Sequence, residues 1–282
     1  MRIAVLSGKG GTGKTMVSVN LACTLGNAAY IDCDVEEPNG HLFLKPDAPQ
    51  VEVVYKSVPG FDAEKCTGCR KCVDFCRFNA LAYIRGKHKL FEDVCHYCGG
   101  CALVCPADAV TEERRPVGEL VRGMHGDTLC VTGRLKLGEG SGTPVVKAAL
   151  KAGFGSGRDV VIDCPPGSGC SVLESVEDAD YCVIVAEPTA FGLHNMQMVH
   201  RLTALMRKPC GVVINKEDGS YAPLEDYCRE NKLPILLRVP YREDYAALCA
   251  SGAILRERDG DAAQMFDGLL RALKQRMGGE AS

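Results

Sequence analysis

The chain has 282 residues, 46% of them hydrophobic and 24% charged, which suits one large α/β domain with an insert or two ordinary domains. This balance excludes wholesale disorder, and no apolar run approaches the roughly 18 residues that a membrane span needs. A formal net charge of -3 gives no reason to expect a polyanion, so nucleic acid is not an expected partner.

The first predicted element is a strand over residues 3–6, followed by Gly8-Lys9-Gly10-Gly11-Thr12-Gly13-Lys14-Thr15 and a helical pattern through Leu25. Strand, G-x-x-x-x-G-K-T and helix make a P-loop. Its glycines, with Thr12 between them, let backbone amides turn toward phosphates; Lys14 reaches the β and γ phosphates, and Thr15 offers its hydroxyl to Mg²⁺. The apolar start, residues 3–6, is too short for a secretory signal, so a reducing cytoplasm is the expected compartment. Residues 28–31 read as a buried strand ending in Asp32-Cys33-Asp34, and residues 51–55 as an extra strand.

Cysteine is the anomaly, with 17 in the chain. Eight fall in two runs of C-x2-C-x2-C-x3-C: Cys66, Cys69, Cys72 and Cys76, then Cys95, Cys98, Cys101 and Cys105, followed by Pro106. This is the bacterial two-cluster ferredoxin pattern, in which three close thiolates hold one 4Fe-4S cluster and the fourth crosses to the other. By that rule Cys105 joins Cys66, Cys69 and Cys72, and Cys76 joins Cys95, Cys98 and Cys101. Two tetrahedral zinc sites are the alternative, but zinc motifs come as paired knuckles, whereas here a run of four is repeated. Arg77 stands where the first half of a ferredoxin would often have proline.

Further on, residues 117–140 suggest a β-hairpin that returns the chain to the sheet. Strands follow at residues 160–163, ending in Asp163 before Pro165-Pro166-Gly167, at 182–186 before Glu187, and at 211–214 before Asn215-Lys216. Val239-Pro240-Tyr241 closes the last one. Helical stretches occupy 193–207, 222–231, 242–251 and 262–277. Such alternation predicts a parallel sheet covered on both faces, with a nucleotide at the carboxyl ends of its strands. The apolar stripe of the last helix, Met265, Phe266, Leu269, Leu270, Leu273 and Met277, is read as packing, so stable membrane association is not expected.

With its second lysine, the string from Lys9 to Thr15 resembles the deviant Walker A of the MinD/Mrp/nitrogenase-iron-protein ATPases, a SIMIBI-class group of P-loop NTPases. Asp32-Cys33-Asp34 resembles their switch I, residues 160–163 their Walker B and Pro165-Pro166-Gly167 their switch II. The whole pattern looks like the MinD-superfamily members that contain an inserted ferredoxin domain. The resemblance implies an α/β ATPase domain made of residues 1–59 and 113–282, interrupted by a 2[4Fe-4S] ferredoxin domain at 60–112. It also implies that Lys9 crosses a homodimer to the partner's nucleotide and that Asp34 orients the attacking water. Asp163 would hold Mg²⁺ through water, Asn215 would read the adenine edge, and Pro240 would line the base. Lys9, Lys14 and Asp34 are thus the expected catalytic set, and ATP, Mg²⁺ and two 4Fe-4S clusters the expected cofactors.

Three jobs fit such a chain: ATP-gated electron transfer to a protein redox or metallocofactor partner, iron-sulfur or metal-cofactor assembly, and MinD/ParA-like positioning with redox-sensing clusters. The complete thiol set and the lack of a carboxy-terminal C-x-x-C favour the first. Of the other cysteines, Cys23, Cys182 and Cys210 read as core. Cys33 and Cys164 stay open between packing and redox sensitivity. Cys170 lies near where the nitrogenase iron protein carries ligands for a cluster bridging its two subunits, and the reading open for it is that paired Cys170 thiols meet at the dimer interface and touch a cluster or metal. The six histidines read as surface or packing residues.

Overall fold

The strands of the computed structural model, which describes residues 1–278, are, in chain order, β1 (Arg2–Leu6), β2 (Ala28–Asp32), β3 (Asp47–Phe61), β4 (Leu81–Ile84), β5 (Lys87–Leu90), β6 (Val110–His125), β7 (Thr128–Leu135), β8 (Asp159–Asp163), β9 (Tyr181–Ala186), β10 (Cys210–Glu217) and β11 (Ile235–Pro240). Residues 279–282, the end of the second ATPase segment expected from the sequence, lie outside the described residues. Nine strands form one sheet in the order β11-β10-β9-β1-β8-β2-β7-β6-β3, while β4 and β5 pair separately as an antiparallel hairpin.

The strands from β11 to β7 run parallel, as the alternation of strands and helices predicts. At one edge the sheet turns antiparallel: β6 pairs with β7 as the β-hairpin expected within residues 117–140, and β3 is antiparallel to β6. The cause is local: β6 and β7 are joined by the two residues Gly126-Asp127, a connection that only antiparallel neighbours can use. Gly126 supplies the positive φ of 53° that such a tight turn requires. The extra strand expected at 51–55 is longer than its apolar core and runs from Asp47 to Phe61.

Alternation along each strand divides the core into two layers. In β1, Ala4 and Leu6 face one layer, with the helices Thr143–Phe154, Cys170–Val176, Ala190–Leu205 and Ala222–Glu230. Ile3 and Val5 face the other, with the helices Lys14–Leu25, Glu243–Ala250 and Gly260–Gly278. Burial on both faces is why the central strands are continuously apolar. Phe266, Leu269 and Leu273 are fully buried in the second layer, and Met265, Leu270 and Met277 pack against it, so the stripe of the last helix belongs to the core. Among the described residues no helix is long and apolar enough to cross a membrane.

β3 and β6 extend past the body of the sheet as a two-stranded ribbon, paired from Asp47↔Met124 to Phe61↔Val110. Their register shifts between Val54 and Tyr55, where Pro116 stands opposite Tyr55. Proline cannot donate to the ladder and is tolerated at such a bulge. Beyond the ribbon's tip the chain makes the short helices Lys71–Phe75 and Gly100–Leu103, with the β4–β5 hairpin between them.

Candidate functional site

Carboxyl ends of the parallel strands converge on one cavity. β1 leads into the P-loop, β2 into Asp34, β10 into Asn215 and Lys216, and β11 ends at Pro240, and all of these line it. Gly10 and Gly11 face open space on the cavity side, where an added Cβ would meet nothing within 4 Å. Gly13 has a different reason to be glycine: its φ is 91°, and a Cβ would lie 2.1 Å from Asn215 Nδ2. Gly8 is just as confined, since its Cβ would fall 2.4 Å from the Asn195 carbonyl oxygen. Thr12 Oγ1 is buried without a hydrogen-bond partner, a polar atom left over inside a loop of a type that cradles phosphate. Open glycine backbone, an unsatisfied hydroxyl and a helix N-terminus fit a nucleotide's phosphates.

Around Lys14 the charges are buried and tightly paired. Its Nζ lies 2.7 Å from Asp163 Oδ1 and 3.8 Å from Asp34 Oδ2. Ser18, one helical turn beyond Lys14, donates to the same Asp163 oxygen at 3.1 Å, and the Tyr30 hydroxyl donates to Oδ2 at 2.8 Å. Burial alone would lower the Lys14 pKa, but the Asp163 carboxylate raises it above the ordinary lysine value, with help from Asp34 and Asp32. The pair with Asp163 therefore keeps the ammonium protonated. Burial pushes Asp34 up to about 6, with Asp163 adding to the shift and Lys14 opposing it. Asp32 is braced rather than catalytic in its contacts, accepting from the backbone amides of Asp34 at 3.2 Å and Gly40 at 2.9 Å. Burial, then the nearby Asp163, raise it to about 8. Thr15 lines the cavity one residue after Lys14, whereas Asp163 lies behind it, fully buried, with Lys14 and Ser18 on one oxygen and Tyr30 on the other.

Two expected site residues make contacts that sequence reasoning did not foresee. Lys9 Nζ is 2.6 Å from Glu187 Oε2 of its own chain, and the other oxygen of Glu187 takes Lys216 at 2.7 Å. Lys216 also donates to the Gly11 carbonyl at 2.7 Å. Asn215, expected at the adenine, donates through Nδ2 to the Thr12 carbonyl at 2.7 Å and so ties β10 to the P-loop. Cys170 opens the helix Cys170–Val176, is exposed and lines the nucleotide cavity. Cys33 and Cys164 are fully buried, and burial drives their thiols up.

The eight clustered cysteines lie beyond the ribbon. One cavity is bordered by Cys66, Cys69, Cys72 and Cys105, and a second by Cys76, Cys95, Cys98 and Cys101. The structure thus groups the thiols across the two runs, with the last cysteine of each run in the other run's cavity. Backbone conformation repeats as well: Gly68, Arg70 and Asn79 have positive φ, and so do Tyr97, Gly99 and Asp108, each 29 residues after its counterpart. Cys76 Sγ accepts from the Ala80 amide at 3.4 Å, and Cys105 Sγ from the Ala109 amide at 3.3 Å. His88 and His96 stack on Phe61 and Phe78 beside the two cavities, consistent with packing roles. A chamber of four soft thiols with backbone amides aimed at sulfur is a donor set that fits an iron-sulfur cluster.

Fold and site together are those of a P-loop nucleotide-binding protein. Residues 3–255 match the family described as CbiA, the CobQ/CobB/MinD/ParA nucleotide binding domain, and the chain belongs to that family. An uncharacterised protein of Methanocaldococcus jannaschii is 29% identical over 280 residues, covering 98% of this chain and 97% of the relative. A second M. jannaschii protein, an uncharacterised ferredoxin, is 38% identical over 53 residues, 17% of this chain and 69% of the relative. Among solved structures, the septum site-determining protein MinD of Pyrococcus horikoshii, complexed with Mg-ADP, superposes with a TM-score of 0.61 at 18% identity, covering 100% and 99% of the two chains. At that identity the likeness establishes the fold alone.

Proposed function

We propose that this chain is a cytoplasmic, Mg-dependent ATPase that carries two 4Fe-4S clusters on an inserted ferredoxin unit. ATP closes a homodimer and thereby gates electron transfer to a protein redox or metallocofactor-assembly partner. The observation that carries this reading is the pairing of two four-cysteine cavities with a P-loop cavity in one chain, joined by the ribbon of β3 and β6.

At the nucleotide, the P-loop amides and the charged Lys14 bind and neutralise phosphate oxygens, while Thr15, and Asp163 through water, would hold Mg²⁺, which would supply further neutralisation of phosphate charge. For Lys14 to reach a phosphate it turns away from Asp163, whose oxygen then serves the metal side of the site. Asp34, raised to about 6 but largely ionised at neutral pH, orients the attacking water. Lys9 supplies a second cation once it leaves Glu187 and crosses to the partner's nucleotide. Loop ordering of this kind makes turnover slow and partner-stimulated. When bound, the clusters supply one-electron transfer at potentials that the thiolates, amide donors and solvent exposure set. Cys66, Cys69, Cys72 and Cys105 would hold one, and Cys76, Cys95, Cys98 and Cys101 the other. Four protein ligands per cluster favour a retained electron carrier over a delivered cargo, which is why assembly comes second.

Anaerobically purified protein is expected to hold about eight iron atoms per chain. Its redox titration with viologen mediators is expected to shift when MgATP is added. Release of iron to a chelator on adding MgATP, with no such shift, would replace electron transfer by the assembly reading. Absence of iron altogether would remove both.

A further inference from the structure

A single loop reaches the nucleotide cavity through Val35 and the second cysteine cavity through Lys56 and Tyr97. Residues 136–142 connect β7 to the helix Thr143–Phe154. At one end, the loop and its flanks grip Val35, the residue after Asp34: the Leu135 amide donates to the Val35 carbonyl at 2.8 Å, and a Cβ on Gly142 would lie 2.6 Å from Val35 Cγ2. Val35 itself is buried. In the middle of the loop, Glu139 forms an ion pair with Lys56 of β3, and a Cβ on Gly140 would come within 3.0 Å of the Asp93 carbonyl oxygen.

Lys56 sits on the inward face of the ribbon, between Val54 and Val58, and is almost wholly buried. Its ammonium has two polar partners, the Glu139 carboxylate and the Tyr97 hydroxyl, the latter at 2.7 Å. Tyr97 lies between Cys95 and Cys98 and holds a φ of 50°, an unfavourable conformation for a residue with a bulky side chain. Its ring also lies against the Lys56 ammonium, 4.6 Å away, and its hydroxyl donates to the Glu92 carbonyl at 3.3 Å. A buried cation with, among the described residues, these two polar partners cannot move without them, because unpaired it would be an isolated charge in a low-dielectric interior.

We propose that Glu139, Lys56 and Tyr97 are positioning residues that couple the nucleotide site to the Cys95–Cys98 loop, so that displacement of Asp34 and Val35 on ATP binding is transmitted through residues 136–142 to the second cluster. The proposal rests on the cluster and ATPase reading above and adds the route by which one governs the other. Coupling of binding equilibria is reciprocal, so reduction of the cluster must change ATP affinity by the same factor by which ATP changes the equilibrium for reduction.

That reciprocity gives the test. The Kd of Mg-ATPγS is measured anaerobically for the full chain with its clusters, oxidised and after dithionite reduction. Wild-type protein is expected to show a Kd ratio between the two states of about fivefold or more. In Lys56→Met and Glu139→Gln the ratio should fall to near one, with iron content and oxidised-state Kd unchanged, while Lys56→Arg restores it. Tyr97→Phe removes one oxygen atom only and decides the matter if Lys56→Met loses iron: a ratio at least halved supports the relay, and an unchanged ratio overturns it. Variants that keep both iron and the wild-type ratio overturn the relay and leave the ATPase and cluster reading standing. A wild-type ratio of one, in protein with full iron content, overturns the relay together with nucleotide gating.

Discussion

Lys14 Nζ and Asp163 Oδ1 lie 2.7 Å apart with the Lys14 side chain 6% exposed and Asp163 not exposed at all. The second oxygen of Asp163 is held by the Tyr30 hydroxyl, which is also buried. Tyr30→Phe leaves that carboxylate oxygen without its donor, and the expected cost in denaturant unfolding is about 1–3 kcal/mol. Lys14→Met leaves a buried carboxylate without its cation, with an expected loss of about 3–5 kcal/mol and of nucleotide binding. A Lys14→Met chain as stable as wild type would mean that the pair does not form in solution.

Asp34 gives the hydrolysis rate a pH dependence. Its pKa, raised to about 6, means that acid neutralises, well within reach of assay, the carboxylate that we propose orients the attacking water. The sign is fixed: kcat/KM, which reports the free enzyme, falls as pH drops below about 6, roughly tenfold for each further unit. Above about 7 the curve is flat with respect to this group. Asp34→Asn is expected to abolish the acid limb along with most of the rate, so a variant that keeps the limb would assign it to another group.

Glu187 pairs with two lysines at once, and their charges outweigh burial to hold its pKa below the ordinary glutamate value. If Lys9 reaches across the dimer, Glu187 competes with the partner's nucleotide for it. Glu187→Gln should therefore shift ATP-dependent self-association to a two- to fivefold lower protein concentration, about the effect of one partly exposed ion pair. Sedimentation equilibrium with Mg-ATPγS measures this directly. Equal association constants for wild type and variant would place Lys9 outside the interface.

What the sequence made legible is what short spacing encodes. The P-loop, the switch-like Asp34, the strand before Asp163 and both cysteine runs are contiguous strings whose chemistry depends on local backbone. Contacts between distant strings left little trace. Tyr30 looks like any buried strand residue until β2 and β8 are set side by side with Asp32 opposite Asp163. The ribbon was underestimated because residues 111–115, Thr-Glu-Glu-Arg-Arg, are exposed and polar, and pair with β3 through backbone rather than apolar pattern. Lys56 interrupts the apolar inward positions of β3, the one available sign that a partner awaited it. Glu139 sits in a glycine-rich loop with nothing to mark it.

The division of thiols between the two cavities makes a prediction that spacing within one run would not. If each cluster took one run, Cys76→Ser would damage the site of Cys66, Cys69 and Cys72. The cavities place Cys76 with Cys95, Cys98 and Cys101 instead, and Cys105 with the first three. Cys76→Ser and Cys98→Ser should therefore alter the same electron paramagnetic resonance signal in dithionite-reduced protein, while Cys105→Ser and Cys69→Ser alter the other. Because Tyr97 lines the second cavity and not the first, and Lys56 is bonded to Tyr97, Lys56→Met should perturb the signal that Cys76→Ser removes and leave its counterpart unchanged. Co-perturbation of Cys76→Ser with Cys69→Ser would refute the crossed assignment and would detach Lys56 from the cluster it is argued to position.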